Sequence, residues 1–321
     1  MRVAVVTVTY ESAGFLAPFL AGLAALQPPR PEVVIVDNAS RDGSADLVAR
    51  MLPWARLVRS RRNLGFAGGS NAGARATDAD VLLFLNPDTI PPSDLVAPLL
   101  AALDEPGVGV VGAKLVFPDG RIQSAGGVLG PDGHGAHRGW GEPDDGRWDA
   151  PADVDYVPGA ALAIRRDVFW RLGGFDEGYF PGFYEDTELC VRARAAGLRV
   201  RWLPRPVIPH LESPVMSARR TYWMHRNRLR FLRRNVPGGV RPGSEAAWAW
   251  REHGRPLVRA LGGLHPWKAR AEAATLRAVL HAYATAAVDG LRRGDVPPAP
   301  DPGAHAAPAA TPARSRASSG P

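Results

Sequence analysis

Lysine is almost missing from this 321-residue chain: only Lys114 and Lys268 occur, so arginine carries nearly all of the positive charge. Lys+Arg total 39 against 32 Asp+Glu, a formal net charge of +7. Such an arginine bias reflects a GC-rich genome more than a nucleic-acid partner, and no nucleic acid is expected. Cysteine is scarcer still. The single Cys190 excludes an internal disulfide framework and any Cys-based zinc site, which fits a reducing compartment and a cytoplasmic location. Long unbroken apolar runs are also lacking. Ser12–Pro29 holds no charged residue, but Gly14, Pro18, Gly22 and Gln27 interrupt it and two prolines close it, which argues against a membrane span. No cleavage site follows the first apolar run, which reads as a buried strand and not as a signal peptide. The glycines do not form a dinucleotide fingerprint either, because that pattern would need glycine where Ser70 stands.

What is present is 45% hydrophobic residues, enough for a substantial core. Val3–Val8, Val33–Asp37, Leu57–Ser60 and Val81–Leu85 read as strands. Between them lie three helical patterns. The first carries Phe15, Leu16, Phe19, Leu20 and Leu23 on one face, the second spans Ser44–Leu52, and the third is a glycine-rich start over Gly68–Ala76. Apolar strands alternating with helices predict a parallel sheet covered on both faces, with ligands at the carboxyl ends of the strands. Residues 118–155, rich in Gly, Pro and Asp, read as a long loop or inserted hairpin. Tyr156–Arg165 reads as an alternating strand, Asp167–Leu172 and Glu185–Ala196 as helices, and Arg199–Leu203 and Val207–His210 as two strands.

The polar clusters fall at these strand ends. Asp37 follows Val-Val-Ile-Val, with Asn38 and Ser40 behind it; it can serve as a turn residue or accept hydrogen bonds from a base or ribose. The run from Asn63 to Gly73, with Gly65, Gly68 and Asn71, lets backbone approach a ligand and directs free N–H groups outward. Asp88 ends the most apolar strand, as a cap or as an oxygen ligand for Mg²⁺ or Mn²⁺ carrying a diphosphate. His210 ends another strand and is a candidate second metal or diphosphate ligand. Glu185-Asp186-Thr187-Glu188 opens a helix after an aromatic stretch. The acids complement the helix dipole, and an acid in partly apolar surroundings has a pKa raised toward the range of a general base.

Together, Val-Thr-Tyr-Glu-Ser at 8–12, Val-Asp-Asn-Ala-Ser-Arg-Asp-Gly-Ser at 36–44, the 63–73 run, Leu-Asn-Pro-Asp at 85–88, Gly-Gly-Phe-Asp-Glu at 173–177, Tyr-Glu-Asp-Thr-Glu-Leu-Cys-Val-Arg at 184–192 and His210 resemble family 2 glycosyltransferases. The likeness is to the rhamnosyltransferase-like branch of bacterial cell-envelope synthesis, and it spans about residues 3–235. It implies an α/β GT-A fold, a Rossmann-like mostly parallel sheet flanked by helices, and inverting transfer from a nucleoside diphosphate sugar. By similarity, Thr9, Glu11, Asp37, Asn38, Asn63, Gly65, Gly68 and Asn71 would serve the nucleotide. Asp88 and His210 would serve a divalent cation, and Asp186 would be the general base. Asn86, Gly159, Tyr184 and Glu185 would neighbour the acceptor and donor sugar. Asn86 replaces the first acid of the family's Asp-x-Asp motif, which removes one negative charge.

A nucleotidyltransferase on a similar sheet would need a basic N-terminal loop, and Thr9–Gly14 contains no Lys or Arg. A non-catalytic sugar or nucleic-acid binder would leave Asp186, Asp88 and His210 without a purpose. Three regions are expected: a catalytic domain over 1–214, a basic helical region over 215–290 and a disordered tail over 291–321. Within Met216–Asn235, seven arginines alternate with Tyr222, Trp223, Leu229, Phe231 and Leu232. Such an amphipathic pattern fits peripheral contact with the anionic inner face of the plasma membrane. The expected ligands are a dTDP- or UDP-linked sugar, rhamnose first among them, and a lipid-linked or glycan acceptor.

Overall fold

The computed structural model describes residues 1–130, 132–211, 218–236, 250, 255, 258 and 266–292. Beyond Arg292 the expected tail lies outside the described residues, as does most of the stretch 237–265. The chain opens as β1 (Val3–Thr9), α1 (Leu16–Ala24), β2 (Glu32–Asp37), α2 (Ser44–Met51), β3 (Arg56–Arg59), α3 (Gly65–Arg75), β4 (Val81–Leu85) and α4 (Val96–Leu103). Then come β5 (Val108–Val116), β6 (Ile122–Ser124), β7 (Gly127–Leu129), β8 (Gly135–His137), β9 (Ala152–Asp153), β10 (Ala161–Arg165) and α5 (Arg166–Arg171). A 3-10 turn (Glu177–Tyr179), α6 (Glu185–Ala195), β11 (Arg199–Pro209), α7 (Ala218–Asn235) and α8 (Pro266–Arg292) complete it. No helix among the described residues is long and apolar enough to cross a membrane.

The main sheet runs β3-β2-β1-β4-β10-β5-β11-β9, with β6 on the edge of β5. Side chains alternate between its faces as strand geometry requires. Val5, Ile35, Leu83 and Leu85 pack under α1, α2 and α4, whereas Val6, Leu82 and Phe84 pack under α3, α5 and α6. Phe15 is not part of the α1 face. It precedes the helix and stands exposed, while Leu16, Phe19, Leu20 and Leu23 are buried.

The sheet departs from a wholly parallel one at β10, which is antiparallel to both β4 and β5. Only Ala161–Arg165 of the expected 156–165 strand joins the sheet, after Pro158 and Gly159; Tyr156 makes an isolated bridge to Gly127. The reversal sets up the site. Ala161 stands opposite Leu85, so the residues entering β10 lie beside those leaving β4. The two strands expected over 199–210 are one, β11, which runs parallel to β5 through a register shift between Leu203 and Val207. The 118–155 excursion contains the β7–β8 hairpin and contributes β6 and β9 to the main sheet. Buried Lys114 on β5 anchors it through Asp144 at 2.7 Å and Asp149 at 2.8 Å.

Candidate active site

Thr9, Asp37, Asn86–Asp88 and His210 all emerge at one edge, because β1, β2, β4, β5 and β11 point the same way. At the β1/β2 end, Thr9 Oγ1 donates a long 3.4 Å hydrogen bond to Asp37 Oδ1, and Asp37 Oδ2 accepts from the Ser40 amide. Glu11 is exposed and takes the Arg41 amide at 3.0 Å. Asn38 reaches the next loop, donating to Gly65 O at 2.9 Å and Asn63 Oδ1 at 3.3 Å and accepting from the Leu64 amide. Thr9, Asp37, Asn38, Asn63 and Gly65 therefore form one contiguous shelf.

The glycine-rich start of α3 differs from its expected part. The Gly65 amide donates to Asn63 Oδ1 and the Phe66 amide to Pro181 O at 2.7 Å, so these two N–H groups are engaged within the protein instead of facing outward. Gly69 and Gly73 serve close packing: a β-carbon there would come within 2.7 Å of Val8 and 2.4 Å of Val6. One at Gly68 would press Leu64 at 2.9 Å. Asn71, expected at the nucleotide, bonds within the protein. Its two N–H groups go to Phe175 O and Glu177 Oε1, and its oxygen takes the Phe175 amide. It clips α3 to the Gly-Gly-Phe-Asp-Glu segment.

At the β4/β11 end, an isolated bridge between Thr89 and His210 and a 2.8 Å bond from the Leu211 amide to Asp88 O bring the two chain exits together. His210 Nε2 lies 3.1 Å from Asp88 Oδ1, and its Nδ1 lies 2.6 Å from Gln123 Oε1. The amide oxygen can only accept, so Nδ1 donates to Gln123, and this bond turns Nε2 toward the Asp88 carboxylate, where it can donate a hydrogen bond or, deprotonated, share a cation with Asp88. Carboxylate oxygen plus imidazole nitrogen is a fitting donor pair for a divalent cation. No cluster of three or more His, Cys, Asp or Glu side chains able to hold a metal occurs among the described residues. The remaining coordination positions would thus fall to a diphosphate and water. From α7, the Arg220 guanidinium lies 5.3 Å from the Phe183 ring centroid. Burial lowers its pKa, and the charge of Asp88 opposes that shift.

The third cluster surrounds Asp186. Its Oδ2 accepts from the Gly159 amide at 2.7 Å; its Oδ1 accepts from the Thr187 amide at 2.6 Å and hydroxyl at 3.2 Å. Gly159 precedes β10, and the next residue's carbonyl, Ala160 O, accepts from the Asn86 amide. Two backbone steps therefore join Asp186 to the Asn86–Asp88 exit. Burial raises the Asp186 pKa, partly opposed by those donors. Glu185 is more deeply buried, its Oε2 has no hydrogen-bond partner, and burial plus the Asp186 charge push its pKa well above the ordinary value. Neighbouring Tyr156, Tyr184 and Cys190 are all pushed upward, chiefly by burial, and the Asp186 charge adds to each shift. Tyr184, expected at the sugar, instead gives its hydroxyl to Gly133 O at 3.0 Å and packs its ring on Phe231.

Two contributors escaped the sequence reading. Nothing in the spacing links Gln123 to His210. Asn227, inside α7, carried a faint signal, since asparagine is a poor interior helix residue unless its amide has a partner. The arginine-rich helix also differs from an exposed amphipathic one: Leu229 and Leu232 pack with Val236 and with Tyr283 of α8, and Phe231 meets Tyr184. Arg228 is buried, donating to Asp132 O, and Arg230 pairs with Asp176 at 2.7 Å. Its apolar side is occupied by protein.

A mixed α/β sheet with an acidic shelf, an Asp/His pair and a buried carboxylate along one edge defines a glycosyltransferase of the GT-A fold. Residues 4–173 match the model of Glycosyl transferase family 2, and the chain belongs to that family. It is 34% identical over 218 residues to the O-antigen biosynthesis protein RfbC of Myxococcus xanthus, covering 63% of this chain but only 17% of RfbC. It is 32% identical over 233 residues to the N-acetylglucosaminyl-diphospho-decaprenol L-rhamnosyltransferase of Mycobacterium tuberculosis, covering 64% of this chain and 75% of that protein. Among solved structures, the mannosyltransferase PcManGT from Pyrobaculum calidifontis, in complex with GDP-Man and Mn²⁺, superposes with a TM-score of 0.55 at 22% identity, covering 91% of this chain and 81% of its own.

Proposed function

We propose that this chain moves a sugar, rhamnose as the first choice, from a dTDP- or UDP-linked donor to a hydroxyl of a lipid-linked or glycan acceptor in cell-envelope synthesis, inverting the anomeric centre. The observation that carries the reading is the Gly159–Asp186 hydrogen bond. It holds a carboxylate of raised pKa two backbone steps from the Asn86–Asp88 exit. Inversion requires the acceptor oxygen to attack opposite the departing diphosphate, so base and leaving-group stations must be separate and mutually fixed. Asp186 takes the hydroxyl proton as the new bond forms; a positioned base of this kind contributes about 10²–10⁴ in rate. Glu185 beside it has its pKa raised by burial and by the Asp186 charge. The Thr9–Asp37–Asn38 shelf receives the nucleoside.

Asp88 and His210 would hold a divalent cation, which supplies positive charge at the diphosphate. Arg220, coupled to Asp88, adds a fixed positive charge to the same region. The name of the mycobacterial relative supports a rhamnosyl donor and a lipid diphosphate acceptor. Peripheral membrane contact would rest on the exposed Arg219, Arg233 and Arg234, since the apolar side of α7 is covered. The test is a thermal-shift screen of sugar nucleotides with and without Mn²⁺, followed by transfer assays of wild type and Asp186→Asn with the donor that binds. Donor binding retained with transfer abolished is the expected result, and normal turnover by Asp186→Asn overturns the assignment.

A further inference from the structure

The segment leading into α6 holds an unusual backbone. Phe183 and Tyr184, neither of them glycine, lie consecutively in the left-handed region at φ +76° and +74°, where a β-carbon is disfavoured. Tyr184 is the N-cap of α6 without a side-chain capping bond, and Asp186 follows two residues later. Something outside the segment has to hold it in this shape.

Asn227 of α7 does so. Its Nδ2 lies 2.8 Å from Tyr179 O, 2.6 Å from Gly182 O and 3.1 Å from Phe183 O, so three carbonyls of one loop converge on one amide. From the other side, Arg226 Nε and an Arg226 terminal nitrogen donate to Asn227 Oδ1 at 2.9 and 2.7 Å, which fixes which end of the amide faces the loop. Asn227 is fully buried. Arg226 also donates to Phe180 O, and Arg230 grips Asp176 at the start of the same segment. α7 has other holds on the same body: Phe231 packs on Tyr184, Arg228 donates to Asp132 O, and Arg230 pairs with Asp176, while Leu229 and Leu232 pack against α8.

We infer that Asn227 is a positioning residue for transfer: by gathering the 179–183 carbonyls it sets the left-handed entry to α6 and so aims the Asp186 carboxylate at the Gly159 amide. This rests on the reading of Asp186 as the base and extends it to α7.

The test compares wild type, Asn227→Ala, Asn227→Ser and Asp186→Asn as full-length proteins, in kcat, donor KM, UDP and dTDP affinity by calorimetry, and the pH profile of kcat/KM. Misplacement of a reacting group by about 1 Å costs about 10²-fold. Asn227→Ala is expected to lose kcat by about that factor, with donor KM and nucleotide affinity within about twofold. The acidic limb of its profile should move to higher pH, because a carboxylate that loses a donated hydrogen bond holds its proton more tightly. Asn227→Ser, which keeps one donor, should fall between and decides the matter if the alanine variant does not fold. Wild-type kcat in both, or a fall in kcat matched by weaker nucleotide binding with an unmoved limb, overturns the inference. Turnover by Asp186→Asn removes the base assignment itself; an inactive Asp186→Asn beside a normal Asn227→Ala removes only the role of Asn227.

Discussion

The Gly159 amide donates a 2.7 Å hydrogen bond to Asp186 Oδ2, and this one contact ties the first turn of α6 to a strand that runs backward through the sheet. Because β10 is antiparallel to β4, Gly159 lies at the edge where β4 ends. The Asp186 carboxylate is thereby held between two opposing influences. Burial raises its pKa, and three donated hydrogen bonds restrain the rise.

The first prediction concerns pH. A base must be ionised to accept a proton, so kcat/KM should fall as pH drops through the Asp186 pKa. That limb is expected above the ordinary aspartate value of 3.8. A pH–rate profile in which activity persists unchanged down to the ordinary range would contradict the assignment. Replacement of Thr187 by valine removes the hydroxyl donor at 3.2 Å and should move the limb further upward.

Glu185 gives a stability prediction of definite sign. Its folded-state pKa is well above the usual 4.5, so its favourable contribution is fully present below that value and is lost as pH rises toward the raised one. Glu185→Gln mimics the protonated side chain. Wild type and variant should melt at similar temperatures at acidic pH, and the variant should melt higher at alkaline pH. Melting curves between pH 4.5 and 9 check this; a gap that is constant or reversed across that range refutes it.

His210 is held with Nε2 toward Asp88 because Gln123 accepts from Nδ1 at 2.6 Å. Loss of such an outer partner weakens metal affinity by about 10–100-fold. Gln123→Leu should lower Mn²⁺ affinity by about that factor when measured by electron paramagnetic resonance with a nucleoside diphosphate present. Nucleotide affinity without metal should stay the same. Equal Mn²⁺ affinity in both proteins would show that the Gln123 contact does not orient the ring.

Much of this arrangement was legible in the sequence, for identifiable reasons. Apolar runs announced β1, β2 and β4, and the polar residues after them and after β11 announced the edge that carries Thr9, Asp37, Asp88 and His210. The direction of β10 was not legible, because four apolar residues and a terminal arginine carry no polarity of travel. The Gln123–His210 pair spans 87 positions without a motif. Asn71 and Tyr184 look like ligand contacts in a line of text; only the folded chain shows Phe175, Glu177 and Gly133 taking up their polar atoms. The arginines of α7 looked like a membrane face because an amphipathic pattern does not specify what covers its apolar side. Here α8 and the Asp186 loop do.

The last prediction follows the backbone from the sheet interior to the site. Gly112, in the middle of β5 between β10 and β11, faces Val157; a β-carbon there would lie 2.4 Å from Val157 Cβ and 2.6 Å from Cγ1. Val157 is fully buried, and its branched side chain has few alternative rotamers, so the backbone would have to move. Overpacking of this kind costs about 1–3 kcal/mol, and Gly112→Ala should melt several degrees below wild type. Val157 stands two residues before Gly159, so the same displacement should disturb the amide that holds Asp186 and lower kcat beyond what partial unfolding explains. Gly14→Ala, with nothing within 4 Å of its new β-carbon, serves as the stability control. An unchanged melting temperature in Gly112→Ala would show that Val157 can yield, and a lowered one with full kcat would show that Gly159 is insulated from the sheet beneath it.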